Sequence, residues 1–223
     1  MPVDYSQCGH RGSRHESSVK TSSLATFCSA AFRSPKTVGA VWPSSPRLAA
    51  RLAAVVPSVG DPTIVELGPG TGAVSAAIEE RLQGRGRHIA LESDPSMAHF
   101  LHRKNPRAKV HLADAVDLGS ILARERLADV DAVVSGLPWA LISADKQKRI
   151  LGQIAHSLAP SGVFTTFAYV HGLGLTAARH FGQSLRSAFD EVLSTRTVWV
   201  NFPPAITYVC RRPRRAASIE ISA

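Results

Sequence analysis

The chain has 223 residues, of which 44% are hydrophobic and 19% charged, a composition typical of one folded α/β domain rather than a disordered protein. No run of eighteen purely apolar residues occurs and the first residues are polar, so neither a membrane span nor a secretory leader is expected. Three widely spaced cysteines offer neither a disulfide framework nor a C-x-x-C metal site, which favours a cytoplasmic setting without a bound metal.

The net charge of +9 is concentrated at the two ends of the chain. Residues 1–51 carry seven Lys/Arg against two Asp/Glu, residues 210–223 carry four against one, and residues 52–209 carry fifteen against fourteen. Basic ends attract polyanions such as nucleic acid or an anionic membrane surface, and they also raise solubility. Charge alone leaves both interpretations open.

The N-terminal part divides into a polar tail and a helical segment. Residues 1–21 show no period and are interpreted as a disordered tail. Residues 22–33 place apolar side chains at helical spacing, which predicts a short amphipathic helix. Ser45 followed by Pro46 predicts the start of a second helix, which runs to about residue 56. We therefore expect a helical N-terminal segment over 22–57, a main domain over 58–211 and a basic tail over 212–223.

Strands and helices alternate through the main domain. Predicted strands are 63–67, 88–92, 109–113, 131–135 and 162–169, and predicted helices are 73–83, one opened by Asp94-Pro95, 118–125, one capped by Ser143, and 176–188. Residues 191–201 and 205–211 predict a closing antiparallel pair. This order predicts an α/β fold with a doubly wound, mostly parallel seven-stranded sheet covered on both faces.

A glycine-rich segment follows the first predicted strand. It reads Glu66-Leu67-Gly68-Pro69-Gly70-Thr71-Gly72, and ligands of doubly wound sheets bind at such strand ends. Glycines let the backbone turn tightly and approach a ligand closely. Glu92, twenty residues after Gly72 at the end of the next strand, is placed to accept hydrogen bonds from a ribose.

The acid beside the glycine loop indicates which cofactor binds. The spacing Gly68-x-Gly70-x-x-Ala73 also fits a loose dinucleotide fingerprint. Glu66, however, would repel a pyrophosphate and attract an ammonium group, and the closing antiparallel pair is unlike a dinucleotide half-domain. A cofactor with a ribose at one end and an ammonium at the other is S-adenosylmethionine.

Three ordered motifs carry a family resemblance: Val65–Gly72 (VELGPGTG), Asp114-Ala115, and Ser135-Gly136-Leu137-Pro138-Trp139. Over roughly residues 36–210 the chain resembles the class I S-adenosylmethionine-dependent methyltransferases, which have a Rossmann-like fold. More narrowly, it resembles the soluble-type bacterial phospholipid N-methyltransferases, through the Ser-Gly-Leu-Pro stretch and the element from Gly39 to Ser45, and it is similar to the rRNA adenine dimethyltransferases.

The resemblance implies roles for individual residues. Asp114 would bind the adenine amino group, beside the ribose ligand Glu92 and the ammonium ligand Glu66. The implied cofactor-binding set is Glu66, Gly68, Pro69, Gly70, Gly72, Glu92, Asp114, Ala115 and Ser135. The implied acceptor contacts are Ser44, Ser45, Leu137, Pro138 and Trp139. For Ser45, helix capping alone is an equally good interpretation.

The acceptor is less well defined by these motifs. The rRNA adenine enzymes carry Asn-(Ile/Leu)-Pro-(Tyr/Phe) where this chain has Ser135 and Gly136, so the amide that holds the adenine is missing, although Trp139 could still stack or form a cation–π contact. The resemblance therefore favours a phospholipid amine of the phosphatidylethanolamine type. An RNA base, a small-molecule natural product and a cofactor-binding module without catalysis are the alternatives.

An attacking amine must lose its proton, and Tyr169 and His171, just beyond the fifth predicted strand, are candidates to accept it. With Ser135 and Trp139 they are the only candidates for catalysis, and the sequence identifies no base among them. The predicted helix over 22–33 either covers the core or lies on an anionic membrane. In the second case residues 22–36 form a peripheral membrane contact, with Arg33 and Lys36 at the lipid headgroups. The basic C-terminal tail would serve lipid or RNA equally, and nothing predicts the oligomeric state.

Overall fold

The computed structural model describes residues 44–215, so the tail over 1–21, the helix over 22–33 and residues 216–223 lie outside the described part. The helices are α1 (Pro46–Ala53), α2 (Ala73–Leu82), α3 (Pro95–Lys104), α4 (Leu118–Arg124), α5 (Ala144–Ser157) and α6 (Thr176–Ala188). The strands are β1 (Thr63–Leu67), β2 (Arg87–Glu92), β3 (Ala108–Leu112), β4 (Val130–Ser135), β5 (Leu158–Tyr169), β6 (Phe189–Ser194) and β7 (Ala205–Pro213).

The seven strands form one sheet in the order β3-β2-β1-β4-β5-β7-β6. Strands β1 to β5 are parallel to one another, while β7 lies between β5 and β6 and is antiparallel to both. The order reverses between β1 and β4, so their carboxyl ends border a crevice where α/β folds bind ligands. The predicted Rossmann-like α/β fold with a closing antiparallel pair is confirmed.

Helices cover both faces of the sheet because the strand side chains alternate. Val65 and Leu67 of β1 point into one apolar layer, built with α4, α5 and α6. Ile64 points into the other layer, built with α1 and α2. Leu48 and Leu52 of α1 are fully buried there, each contributing roughly 2 kcal/mol. Helix α1 is therefore part of the core of this domain.

The largest departure from the sequence prediction lies between β6 and β7. Strand β6 ends at Ser194, so the prediction of a strand to residue 201 is wrong in its second half. Residues 195–204, the β6–β7 loop, keep only a hydrogen bond from Thr195 to Thr207 and an isolated bridge between Val198 and Ala205, and they turn toward α1. The Arg51 guanidinium donates to the Arg196 carbonyl at 2.6 Å, and the Ser45 amide donates to Asn201 Oδ1 at 2.9 Å. These contacts to α1 replace the ladder that the alternating sequence favoured.

The C-terminal arginines are largely paired with acids. Strand β7 continues to Pro213, two residues into the predicted tail. Beyond it, Arg214 contacts Asp190 at 2.6 Å and Arg215 contacts Asp129 at 2.6 Å. The cluster that the sequence offers to lipid or RNA is therefore partly neutralised within the domain. No helix within residues 44–215 has both the length and the apolar character needed to cross a bilayer.

Candidate active site

The glycine loop connects β1 to α2 at the crevice. Gly68, Gly70 and Gly72 have φ angles of 67°, 54° and 78°, a region that side chains other than glycine rarely adopt. A Cβ on Gly68 would lie 2.7 Å from Leu137 Cδ2 and would push that side chain aside, in addition to the strain of the positive φ. The Gly72 amide closes the turn by donating to the Pro69 carbonyl at 2.9 Å. The loop therefore presents bare backbone to a ligand.

Glu92, predicted to hold the ribose, ends β2 and is 6% exposed. Its Oε2 accepts from the Gly70 amide at 3.1 Å and its Oε1 accepts from the Asp94 amide at 2.9 Å. Burial raises the pKa of this carboxyl above its ordinary value, against the hydrogen bonds from the Asp94 and Gly70 amides, which lower it. Each oxygen keeps a further lone pair, so a fixed carboxylate faces the glycine loop ready to accept hydroxyl hydrogen bonds.

Glu66 lies in a buried charged cluster that the sequence analysis missed. Its Oε2 accepts from the Ser75 hydroxyl at 2.6 Å and lies 3.1 Å from His88 Nε2. His88 Nδ1 lies 2.7 Å from Glu79 Oε1. Burial alone would lower the pKa of His88, but hydrogen bonds and Coulomb attraction from the two glutamates outweigh it and raise that pKa to about 9.

The Glu66–His88–Glu79 cluster is suited to an ammonium ligand. With the imidazole protonated at neutral pH, two carboxylates face one cation, which leaves one negative charge in excess. Glu66 Oε1 is buried and accepts no hydrogen bond from any residue within 44–215. Such an oxygen is costly unless a donor reaches it, and a cofactor ammonium is such a donor. The residues present therefore fit S-adenosylmethionine, with Glu66 at its amino-acid end and Glu92 at its ribose.

Asp114 and Ala115 follow β3 beside Glu92. The Ala113 amide donates to the Glu92 carbonyl at 2.9 Å, which joins the two strand ends. Asp114 Oδ1 accepts from the Val116 amide at 3.1 Å, and its Oδ2 pairs with Lys146 of α5 at 2.5 Å. An adenine amino group at Asp114 would share the carboxylate with this lysine, a partner that the sequence did not reveal.

The segment after β4 holds itself in place through Ser135. The buried Ser135 hydroxyl accepts from the Leu137 amide and from Trp139 Nε1, both at 3.2 Å. Trp139 is 2% exposed, and its ring stacks on Phe181 with centroids 4.7 Å apart. The structure corrects the expectation that this indole stands free to stack on an acceptor, because its ring is packed in the core. Ser135 acts by holding the loop.

An apolar cavity of about 200 Å³, the β4–β5 pocket, opens beyond the ends of these two strands. Its lining includes Leu137, Pro138, Trp139, Phe167 and Leu175. Leu137 also contacts Gly68, so the pocket and the glycine loop share a wall. Leu137 and Pro138, two of the predicted acceptor contacts, therefore line a pocket beside the glycine loop.

The two candidate bases lie together at this pocket. Tyr169 ends β5 and His171 follows in a short 3-10 turn, and both line the pocket. Their rings stack with centroids 5.7 Å apart and an interplanar angle of 17°, and His171 is exposed to solvent. This position allows His171 to exchange a proton between the pocket and water.

Two further predicted acceptor contacts, Ser44 and Ser45, come directly before α1. The Ser45 hydroxyl accepts from the Leu48 amide at 3.3 Å and so caps α1, while Ser44 is half-buried. Of the two interpretations of Ser45, the structure shows capping. Among residues 44–215, no three His, Cys, Asp or Glu side chains are grouped so as to hold a metal ion.

A finding that the sequence could not supply is which side chains meet across the sheet. The parallel pairing of β1 with β2 brings His88 to Glu66, and the packing of α2 on the sheet brings Ser75 and Glu79 to the same place. The one sequence signal is a histidine at the start of an otherwise aliphatic strand, which calls for a buried partner. Lys146 gave no signal, because charged residues are ordinary on a helix.

Comparisons with known proteins agree with this site. A family model described as a methyltransferase domain matches residues 64–162. The chain is 30% identical to the ornithine lipid N-methyltransferase of Singulisphaera acidiphila over 183 residues, which cover 81% of this chain and 91% of that protein. It is 27% identical to the ribosomal RNA small subunit methyltransferase A of Salinibacter ruber over 136 residues, which cover 61% of this chain and 45% of that protein.

Solved structures show the same fold at low sequence identity. The O-methyltransferase TomG from Streptomyces achromogenes, solved in complex with SAM, superposes with a TM-score of 0.58 at 17% identity, over 84% of this chain and 89% of that one. The relative from Singulisphaera acidiphila and the shared fold together define the family. The glycine loop and the two buried carboxylates agree with it. The chain belongs to the class I S-adenosylmethionine-dependent methyltransferases and is an enzyme that uses S-adenosylmethionine as its methyl donor.

Proposed function

We propose that this enzyme methylates the nitrogen of an amine in the headgroup of a membrane lipid, such as an ornithine lipid or phosphatidylethanolamine. The observation that carries the proposal is the apolar β4–β5 pocket, which shares Leu137 with the glycine loop. Its wall of aliphatic and aromatic carbon suits a hydrocarbon chain beside a reacting headgroup better than it suits a charged, water-soluble amine. The relative named ornithine lipid N-methyltransferase supports the same acceptor class.

The proposed reaction requires positioning more than covalent help. S-adenosylmethionine supplies a methyl group on a positively charged sulfur, and a neutral amine forms the N–C bond as the C–S bond breaks. Glu66 and Glu92 fix the two ends of the donor, and the pocket fixes the acceptor. Orientation of this kind can contribute about 7–11 kcal/mol to a bimolecular step.

The proton released by the amine needs an acceptor at the pocket. His171, exposed and stacked on Tyr169, takes that proton and passes it to solvent. A His171→Gln variant should then lose rate mainly at pH values where the amine is protonated, and recover as the pH rises. Gln keeps the size and polarity of the side chain but cannot accept a proton.

RNA methylation is the competing function, because of the relative named ribosomal RNA small subunit methyltransferase A. The segment after β4 argues against it. Where an adenine enzyme offers an amide and an aromatic ring, this chain has Ser135, fully buried, and Trp139, 2% exposed and stacked on Phe181. Neither side chain is placed to receive a flipped base.

The test is methyl transfer by the full chain from cofactor labelled on the methyl group. Acceptors are ornithine lipid and phosphatidylethanolamine in detergent micelles, with free ornithine and ethanolamine as matched headgroups and ribosomal RNA as the competitor. We expect label in lipid, with kcat/KM at least about a hundredfold above the free amines, since each buried methylene contributes roughly 0.8 kcal/mol. Label in RNA alone, or equal use of the free amines, would refute the proposal.

A further inference from the structure

The β6–β7 loop holds two neighbouring apolar side chains out into solvent. Trp199 is 73% exposed and Val200 is 58% exposed. Exposing so much of a tryptophan side chain to water is unfavourable unless another molecule covers it. Clusters of exposed apolar side chains therefore mark sites of association. Trp and aliphatic side chains together are typical of segments that enter the interface of a bilayer.

The loop is fixed, so this exposure is a built feature. Asn201 is 2% exposed, and its amide donates to the Pro203 carbonyl at 2.6 Å while its Oδ1 accepts from the Ser45 amide. Val198 is 5% exposed and bridges to Ala205. Because Val198 and Asn201 are anchored inward, the two residues between them must point outward.

Arginines surround the exposed pair. Arg47 and Arg51 lie one turn apart on the exposed face of α1, and Arg196 lies in the loop; we call these the arginine trio. A groove of about 440 Å³ between α1 and the loop is lined by Arg47, Arg51, Trp199 and Val200 together with small or uncharged residues. Neither α1 nor residues 195–204 contain an acidic residue. The surface is therefore cationic as well as apolar, which complements an anionic lipid surface.

This surface lies at the same edge of the sheet as the active site. Tyr169, at the carboxyl end of β5, pairs with Ala205, the first residue of β7, and the Val170 amide donates to the Pro204 carbonyl at 2.9 Å. The loop thus projects beyond the same strand ends that carry the glycine loop and the β4–β5 pocket. A plane that touches Trp199 and the arginine trio would bring lipid headgroups to the edge where the pocket opens.

We propose that the β6–β7 loop docks the enzyme on an anionic bilayer, with Trp199 and Val200 entering the interface and the arginine trio meeting lipid phosphates. This surface is separate from residues 22–36, in which the sequence placed a membrane contact. Its purpose, delivering the pocket to lipid, rests on the proposed function, but the docking itself does not.

Co-sedimentation with vesicles of phosphatidylglycerol tests the docking, since this lipid carries no amine to methylate. The full chain is compared with the W199S/V200S variant and with V59S as a control. Val59 is 77% exposed and lies in the turn before β1, at the opposite edge of the sheet, so V59S removes an exposed valine far from the loop. We expect V59S to bind like the wild type, and W199S/V200S to bind at least about tenfold more weakly. Arg47→Gln should weaken binding about fivefold at low salt, and high salt should remove that difference.

Fluorescence locates the loop directly. In a W42F background the emission comes from Trp139, which is buried, and Trp199, which is exposed. We expect vesicles with brominated acyl chains to quench the Trp199 component, and a W42F/W199F variant to show no such quenching. Unchanged emission, or emission from Trp199 already shifted to the blue without vesicles, would overturn the proposal.

The remaining outcomes separate docking from catalysis and from other partners. Equal vesicle binding by W199S/V200S and the wild type overturns the docking and leaves lipid methylation in micelles untouched. Normal docking without any methylated lipid refutes the proposed function alone. The wild type could instead self-associate without vesicles while the W199S/V200S variant stays monomeric. That result would show the loop to be a contact between two copies of this chain and would overturn membrane docking.

Discussion

The two halves of the crevice are built from opposite chemistry. On the side of β1 and β2, charged groups are almost wholly buried: Glu66 is 1% exposed, His88 3% and Glu92 6%. On the side of β4 and β5, the cavity wall is mostly carbon, with Leu137 and Phe167 as typical members. The first half can recognise only a molecule whose donors match fixed oxygens, whereas the second recognises apolar area and volume.

This difference predicts that the enzyme is more selective for its cofactor than for its acceptor. Buried carboxylates reject a ligand that leaves them unpaired, because an unsatisfied buried charge costs several kcal/mol. An apolar wall discriminates weakly, by about 1–3 kcal/mol for a group the size of a methylene. We therefore expect one methyl donor and a range of acyl chains.

The sharpest test of the charged half is removal of its central cation. His88→Ala leaves the buried Glu66 and the half-buried Glu79 without their shared partner, and breaking a buried pair such as Glu66–His88 costs about 3–5 kcal/mol. We expect the free energy of unfolding in urea to fall by that amount. His99→Ala, an exposed histidine on α3, should stay within about 0.5 kcal/mol of the wild type. A stable H88A would mean that the cluster is not held by charge.

The same cluster predicts how stability depends on pH. The pKa of His88 is raised from 6.5 in the unfolded chain to about 9 in the folded protein, so its contribution is fully present below pH 6.5 and is lost as the pH rises to 9. The loss is at most about 3 kcal/mol. Urea midpoints measured from pH 6 to 9.5 should show this decline in the wild type. A His88→Gln variant with the same decline would assign it to other groups.

Local patterns were enough to predict the individual strands and helices and the turn at the glycine loop, because each depends on residues close in sequence. The sequence predicts the helix start at Ser45-Pro46 for the same reason. It does not predict the end of β6, because residues 195–201 alternate like a strand but are held by hydrogen bonds to the region of α1, more than a hundred residues earlier. The burial of the Trp139 ring is not predicted either, because Phe181, on which the ring stacks, belongs to a helix distant in the sequence.

Glu92, the predicted ribose ligand, offers the next largest effect. Glu92→Gln keeps the size of the side chain but removes the charge that strengthens its hydrogen bonds, a loss of about 1.5–3 kcal/mol. The Kd of S-adenosylmethionine, measured by calorimetry, should rise about 10- to 100-fold. Because the NH2 group of Gln cannot accept from a backbone amide, E92Q leaves either the Gly70 or the Asp94 amide unpaired, and the unfolding free energy of the ligand-free protein should also fall, by about 1–3 kcal/mol. The Kd is therefore measured at a temperature where both proteins are fully folded. Glu80→Gln, an exposed neighbour on α2, is the control and should bind normally.

The smallest expected effect tests the apolar half. Ala178 of α6 lines the β4–β5 pocket, and Ala177 beside it is exposed. Ala178→Phe should fill part of the cavity and raise the KM for a long-chain lipid acceptor about tenfold. Ala177→Phe adds the same group outside the pocket and should leave the KM unchanged. Because the charged half is untouched, the Kd of S-adenosylmethionine should be the same in both variants. A178F that weakened the donor instead would mean that the pocket belongs to the cofactor, and the division of the crevice into two chemistries would fail.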